Sequence, residues 1–378
     1  MTSKYIRQYQ EELDQLKDLG NFRSLKKISD NDFKVNLSSN DYLGVSKKNI
    51  PRPKGNSFGS GSSRLLTGNF KEYELLESEL ESLYGSPALF FNSGYHANIG
   101  ILSALADKGD LILSDKLNHA SIIDGVRLAN SAFIRFKHLD YSHLERILKN
   151  KRKHFNRVFI VSESIFSMDG DEANLNRLIE LKKHFNCILY LDEAHALGVR
   201  GRRGLGLSEE KNCISDIDLL VGTFGKAMNS IGAYVICNTI LKDYLINKMR
   251  SLIFTTALPP IVVSWNYSML RTIVKMNLER EHLMDISDKL RNALIANKLN
   301  TSGSSNIVPV QIGDSQKCVK LAEFLQSKGF LIFPIRPPAV PVNTARLRLS
   351  VCADMNWEEL QELPILIKEY CDNESNKI

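Results

Sequence analysis

The sequence predicts an α/β protein: a mostly parallel seven-stranded sheet flanked by helices, with a smaller α+β domain at the C-terminal end. Three observations predict it. Short apolar runs alternate with helical patterns from Ala88 to Cys237, and such alternation specifies a largely parallel sheet covered on both faces. Each run stops at small or polar residues, as buried strands do. At 378 residues the chain is too long for one ordinary core, so a second, smaller unit is expected. We place an N-terminal helical arm at 1–45, the large α/β domain at 46–265 and the smaller domain at 266–378.

Residues 4–19 carry Ile6, Tyr9, Leu13 and Leu16 at helical spacing among acids and lysines. This predicts an amphipathic helix packed on a larger body and ended by Gly20. Asn36 to Gly44 reads as a short strand running into a polar turn. Gly59-Ser-Gly-Ser-Ser-Arg-Leu-Leu-Thr-Gly68 is either a Gly/Ser linker or a loop held close to something, and Arg64 with its leucines is odd for a linker. Glu72 to Tyr84 has Tyr73, Leu76, Leu80 and Leu83 on one face, with Gly85 where a C-terminal cap belongs.

The strands that follow are Ala88 to Phe91, Leu111 to Leu113, Ala132 to Phe136, Val158 to Val161, Ile188 to Leu191 and Leu219 to Val221. Ser142 to Leu148 and Asn174 to Phe185 are helical patterns between them. Gly232 to Cys237 follows so soon after Lys226 that it could pair antiparallel. Beyond residue 265 the sequence predicts a long helical stretch, Trp265 to Asn297. Strands at Ile307 to Ile312, Leu331 to Pro334 and Ala345 to Val351 follow, with a helix from Val319 to Lys328 and a final helix. Prolines 334, 337, 338 and 341 stiffen a loop carrying Arg336.

Composition narrows the function classes. Lys+Arg 49 against Asp+Glu 43 gives a net charge of +6, compatible with anionic ligands and weak support for nucleic acid, so no nucleic-acid partner is expected. The run Lys149 to His154 reads as a solvated turn. Six scattered cysteines without a C-x-x-C pair suit buried free thiols in a reducing compartment. No apolar stretch approaches the ~18 residues of a membrane span, and the acidic N-terminus lacks a signal-like apolar core. A cytoplasmic protein is expected.

Ligands of such sheets bind beyond the carboxyl ends of the strands, and each strand end here carries a pointed residue. Asp218-Leu-Leu-Val-Gly-Thr-Phe-Gly-Lys226 puts an amine at a strand mouth among small residues. Free lysine has a pKa of about 10.4, so nucleophilic work near neutrality requires burial or cationic neighbours. Gly-Lys alone reads as a surface lysine after a strand. Asn92-Ser-Gly-Tyr95 offers backbone amides to a phosphate, or is a plain turn. His119 in Asn118-His-Ala-Ser121 is, by itself, a packed or capping histidine. Ser167 lies where it could reach a ring hydroxyl. Asp192-Glu-Ala-His195 is also a helicase-type signature, but that enzyme needs an upstream G-x-x-x-x-G-K-[ST] loop, which the sequence lacks. A pyridoxal 5'-phosphate (PLP) site needs a lysine, a carboxylate for the pyridine nitrogen, an aromatic over the ring and donors for the phosphate. Lys226 and Asp192 end separate strands, so both can face one crevice.

Ser38-Ser-Asn-Asp-Tyr-Leu-Gly44, Gly59 to Leu65, Asn118 to Ser121, Phe166-Ser-Met-Asp-Gly-Asp171, Asp192 to His195 and Thr223-Phe-Gly-Lys226 together resemble the α-oxoamine synthases. These are fold-type I PLP-dependent transferases that condense an amino acid with an acyl thioester and lose CO2. The resemblance covers nearly the whole chain. It implies Lys226 as the Schiff-base lysine and proton carrier, Asp192 at the pyridinium and His119 stacked on the ring. It further implies Ser167 and His195 at the ring hydroxyl, and Gly94, Tyr95 and Thr223 at the phosphate. Thr255 or Thr256 would reach a phosphate across a homodimer interface, so that two chains share each active site. Arg348 would bind the amino-acid carboxylate, Asn40 would face substrate, and Arg23 and Arg336 would recognise the far end of the acyl chain.

Within the family, Arg336-Pro-Pro-Ala-Val-Pro341, the short arm with Arg23, and Thr344 to Leu349 favour the member that joins L-alanine to a pimeloyl thioester. Glycine with acetyl-CoA, glycine with succinyl-CoA, serine with a fatty acyl thioester, and a non-catalytic partner subunit are the alternatives. Ala339 departs from the family's usual threonine, and Ala196 and Ala227 stand where glycine is common.

Overall fold

The computed structural model describes residues 4–29, 32–53 and 57–375. Its strands in chain order are β1 (Val35–Asn36), β2 (Ala88–Phe91), β3 (Leu111–Asp115), β4 (Ala132–Phe136), β5 (Val158–Glu163), β6 (Ile188–Asp192), β7 (Leu219–Thr223), β8 (Ala233–Ile236), β9 (Ile307–Gly313), β10 (Phe330–Leu331), β11 (Pro334–Ile335) and β12 (Ala345–Ser350). The first four helices are α1 (Lys4–Asp18), α2 (Lys71–Tyr84), α3 (Gly94–Leu105) and α4 (Ala120–Leu128). Contacts divide the chain into one unit of Asn40–Ser167 with Glu172–Glu281, and another of Met1–Ser39, Met168–Asp171 and His282–Ile378.

The larger unit holds a seven-stranded sheet in the order β2-β8-β7-β6-β5-β3-β4. Every pairing is parallel except the two made by β8, so Gly232 to Cys237 does return antiparallel. The six co-directed strands therefore deliver their carboxyl ends to one rim. Leu89, Phe91, Val161, Tyr190, Val221 and Val235 from one sheet face pack with Ala97, Ile101, Leu102 and Leu105 of α3 and Ile122 and Val126 of α4. Burying six side chains of this size contributes on the order of 10 kcal/mol before entropy is subtracted. Helices α3 and α4 approach so closely that a Cβ on Gly125 would lie 2.5 Å from the Asn98 carbonyl oxygen.

The Gly59–Gly68 stretch is a held loop. Arg64 donates to Glu77 (2.7 Å), the Phe90 carbonyl (2.9 Å) and Asn69, and stacks 4.2 Å from the Tyr73 ring centroid. Gly85 takes φ 73° and caps α2, the left-handed conformation that favours glycine.

The long helix expected over Trp265 to Asn297 is instead two, Pro260–Ile273 and Asn277–Ala296. Arg280 supplies the reason: its guanidinium donates to the Ile273 carbonyl (2.7 Å) and the Val274 carbonyl (3.4 Å), replacing the helical donors those groups would have had.

In the other unit, β11, β12 and β9 form an antiparallel sheet and β1 pairs parallel with β10. The single strand expected at Leu331 to Pro334 splits between these sheets. Pro334 has no N–H, and the Phe333 N–H goes to Ser38 Oγ (3.0 Å). Helix α1 forms as its periodicity predicts, but within the single chain none of its residues is buried, where packing on a larger body was expected. All six cysteines are free, five of them buried. Among the described residues, no helix is long and apolar enough to cross a membrane.

Candidate active site

The strand rim of the larger unit gathers the expected groups. Asp192 ends β6 beside Glu163, which ends β5, and both carboxylates are buried. Asp192 is held at each oxygen: Oδ1 accepts from the Ala194 N–H and Oδ2 from Asn98 Nδ2, both at 2.8 Å. His119 is the N-cap of α4. Its backbone N–H donates to Glu163 Oε1 at 2.5 Å, and its Nδ1 lies 2.7 Å from Ser121 Oγ. Part of the His119 surface stays open, yet the protein packed around its ring holds its pKa below the usual 6.5, with Lys226 adding to the lowering and Asp192 and Asp124 opposing it. Burial first, then the Asp192 charge, pushes Glu163 well above the ordinary carboxylate range, against the pull of Lys226. Lys226, half-buried, thus shares its field with His119 and Glu163.

A second cluster lies at the ends of β2 and β7. Thr223 Oγ1 donates to the Gly232 carbonyl (3.0 Å) and accepts from the Gly225 N–H (3.2 Å). A Cβ on Gly94 would meet that Oγ1 at 3.6 Å, so the first turn of α3 adjoins Thr223. Ser93 caps α3 by accepting from the His96 N–H. Tyr95 is exposed at the helix start, its hydroxyl bonded to Asp124. Asn92 Nδ2 donates to Thr255 Oγ1 (3.4 Å) and the Thr256 carbonyl (2.7 Å) of its own chain. N–H groups at a helix start beside a hydroxyl suit a phosphate.

His195 is buried, and its Nδ1 lies 2.7 Å from the Tyr42 hydroxyl, which also bonds Asn40 Oδ1 at 3.0 Å. Ser167 is half-buried just beyond β5. In the other unit, Arg23 and Arg336 interlock: Arg23 donates to the Arg336 (3.2 Å) and Pro337 (2.9 Å) carbonyls, and Arg336 to those of Gly20 and Phe22. Both line a cavity of about 530 Å³ with Phe22, Lys26, Ala322 and Phe333. Burial and the nearby Arg23 hold Arg336 below the ordinary arginine pKa. Arg348 lies buried on β12, donating to Ser350 Oγ at 2.5 Å.

Sequence reasoning missed Asn98, Ser121, Tyr42 and Glu163. Tyr42 and Ser121 stand inside the motifs Ser38 to Gly44 and Asn118 to Ser121, and Asn98 is a polar residue inside the apolar helix Gly-Tyr-His-Ala-Asn-Ile-Gly-Ile-Leu.

The family model of class I and II aminotransferases matches residues 33–364. A putative 8-amino-7-oxononanoate synthase from Pasteurella multocida is 46% identical over 386 residues, covering 97% of this chain and all of that protein. An 8-amino-7-oxononanoate synthase from Chlorobaculum parvum is 49% identical over 346 residues, 87% of each chain. Among solved structures, serine palmitoyltransferase from S. paucimobilis with a bound PLP–myriocin aldimine superposes with a TM-score of 0.87 at 27% identity, covering 98% of this chain and 99% of that one. The chain belongs to the class I and II aminotransferase family, in its α-oxoamine synthase branch.

Proposed function

We propose that this chain, with PLP as cofactor, condenses L-alanine with a pimeloyl thioester of CoA or a carrier protein. The products are 8-amino-7-oxononanoate, CO2 and the free thiol, in biotin biosynthesis. The observation that carries the chemistry is the gathering of Asp192, His119 and Lys226 at one sheet rim, with Asp192 hydrogen-bonded at both oxygens. The names of relatives 46% and 49% identical support the choice of substrates.

The donor set fits PLP: an amine, a buried carboxylate, an imidazole kept neutral, and a helix start beside a threonine. When bound, PLP supplies an electron sink for charge developing at the amino-acid Cα. Asp192 would hold its pyridine nitrogen protonated and His119 would cover its ring. Ser167 and His195 would meet its hydroxyl. Gly94, Tyr95 and Thr223 would hold its phosphate, with Thr255 or Thr256 serving the partner's phosphate in a homodimer with shared active sites. Lys226 Nζ takes the proton from alanine Cα and later returns one. Arg348 and Asn40 bind and orient the amino acid, and Arg23 and Arg336 recognise the distal carboxylate of the pimeloyl chain. The Arg23–Arg336 cavity pairs cationic heads with the apolar walls of Phe22 and Phe333, which suits an aliphatic chain ending in an anion. We place the enzyme in the cytoplasm.

A CO2-release assay over a matrix of amino acids and acyl thioesters tests the assignment. Alanine with a pimeloyl thioester is expected to lead. Preference for glycine with acetyl-CoA, or for serine with a fatty acyl thioester, overturns it.

A further inference from the structure

Asn98 sits in the second turn of α3 with its side chain buried among groups of the site, and no step above uses it. Its amide is fully engaged. One Nδ2 hydrogen goes to Asp192 Oδ2 (2.8 Å), the other to Ser121 Oγ (2.9 Å), and Oδ1 accepts from the Tyr190 hydroxyl. Ser121 Oγ accepts from Asn98 and lies 2.7 Å from His119 Nδ1, within reach to donate its own hydrogen there. The Ser121 backbone N–H also points to that nitrogen (3.3 Å). Nδ1 is therefore an acceptor, and the neutral ring carries its proton on Nε2. Asn98, Ser121, Tyr190 and Asp192 are each at most 5% exposed, so water does not compete for the bonds Asn98 makes.

We infer that Asn98 is a positioning residue that couples Asp192 to His119, one amide fixing both the carboxylate and, through Ser121, the imidazole tautomer. The inference rests on the reading that these two groups enclose PLP. Neither residue of similar volume does the same: aspartate lacks the two donors and sets a second carboxylate against Asp192, and leucine has no polar atom.

The test uses the PLP-loaded protein, its Asn98→Leu and Ser121→Ala variants, and far-ultraviolet circular dichroism to establish folding. In wild type, histidine-selective 15N spectra should show His119 as the Nε2–H tautomer. Folded Asn98→Leu should show a mixture, and its PLP dissociation constant should rise about tenfold, the loss expected for one hydrogen bond to a charged group. Ser121→Ala cuts only the branch to His119. It should redistribute the tautomers while leaving PLP affinity within about twofold, and it carries the test alone if Asn98→Leu does not fold. An unchanged His119 tautomer in either folded variant overturns the inference, as does wild-type affinity in folded Asn98→Leu. Should wild type fail to bind PLP, the functional reading falls instead, and the same spectra of the unloaded proteins still decide the coupling.

Discussion

Gly125→Ala puts one methyl group where α3 and α4 touch. Its Cβ would lie 2.5 Å from the Asn98 carbonyl oxygen, 3.1 Å from Ile99 Cα and 3.2 Å from the Asn98 carbonyl carbon. Carbon–oxygen contacts settle at about 3.3–3.6 Å, so the helices must separate by about 0.8 Å. All three obstacles are backbone, and no rotamer change relieves them. Overpacking of this kind costs about 1–3 kcal/mol, and a backbone clash belongs at the top of that range. Replacing glycine by alanine inside a helix returns about 1 kcal/mol. The clash wins, leaving a net loss of about 2 kcal/mol. For a unit of this size that lowers the melting midpoint by roughly 4–8 °C. The same displacement would stretch the 2.8 Å bond from Asn98 to Asp192 toward its limit. Differential scanning calorimetry of the PLP-free protein, followed by PLP titration, reads both effects. A midpoint that is unchanged or raised, as helix propensity alone requires, refutes the packing argument.

Glu163→Gln should stabilise the PLP-free protein in a pH-dependent way. Because burial and Asp192 raise the Glu163 pKa above its ordinary 4.5, the folded state keeps that proton longer than the unfolded chain does. Wild type therefore loses stability as pH rises from about 4.5 toward the raised value, so the variant's advantage in urea melts should grow across that window; an advantage that shrinks contradicts the assignment. Arg200→Met should cost about 2 kcal/mol near neutrality, after allowing for solvent screening, because Arg200 bridges Glu172 and Glu210 (2.6 Å to the latter). Hydrogen bonding to Arg200 brings Glu210 down to about 2 from 4.5, so this stability is present above pH 4.5 and lost as pH falls toward 2. Melts of wild type and variant that run parallel across that range would contradict it.

Much of the fold was legible because its signals are local. Ala88 to Phe91 and Ala132 to Phe136 are apolar runs between polar stops, and the strands coincide with them. Gly85 and Asn174 mark a helix end and a helix start by conformations their own chemistry favours. What was not legible depends on partners distant in sequence. The break at Val274 follows from a cap supplied by Arg280, with no glycine or proline to announce it. The division of Leu331 to Pro334 depends on Ser38, nearly three hundred residues away in sequence (|i−j| = 295). At the site, Lys226, Asp192 and His119 could be named because strand ends and motifs point to them. Asn98 could not, since a lone polar residue in a helix becomes meaningful only when α3 meets β6, and the role of Tyr42 within its motif shows only when that turn meets His195. Glu163 lies just past the expected strand Val158 to Val161, and only the register that sets it beside Asp192 exposes its electrostatics.

Lys226, Asp192 and His119 are held here to serve one cofactor ring, and absorption spectroscopy tests that most directly. Purified protein incubated with PLP should develop the visible band of a lysine-bound pyridoxal, and Lys226→Ala should lack it while remaining folded. A wild type without that band, or a Lys226→Ala variant that retains it, would contradict the account at its centre.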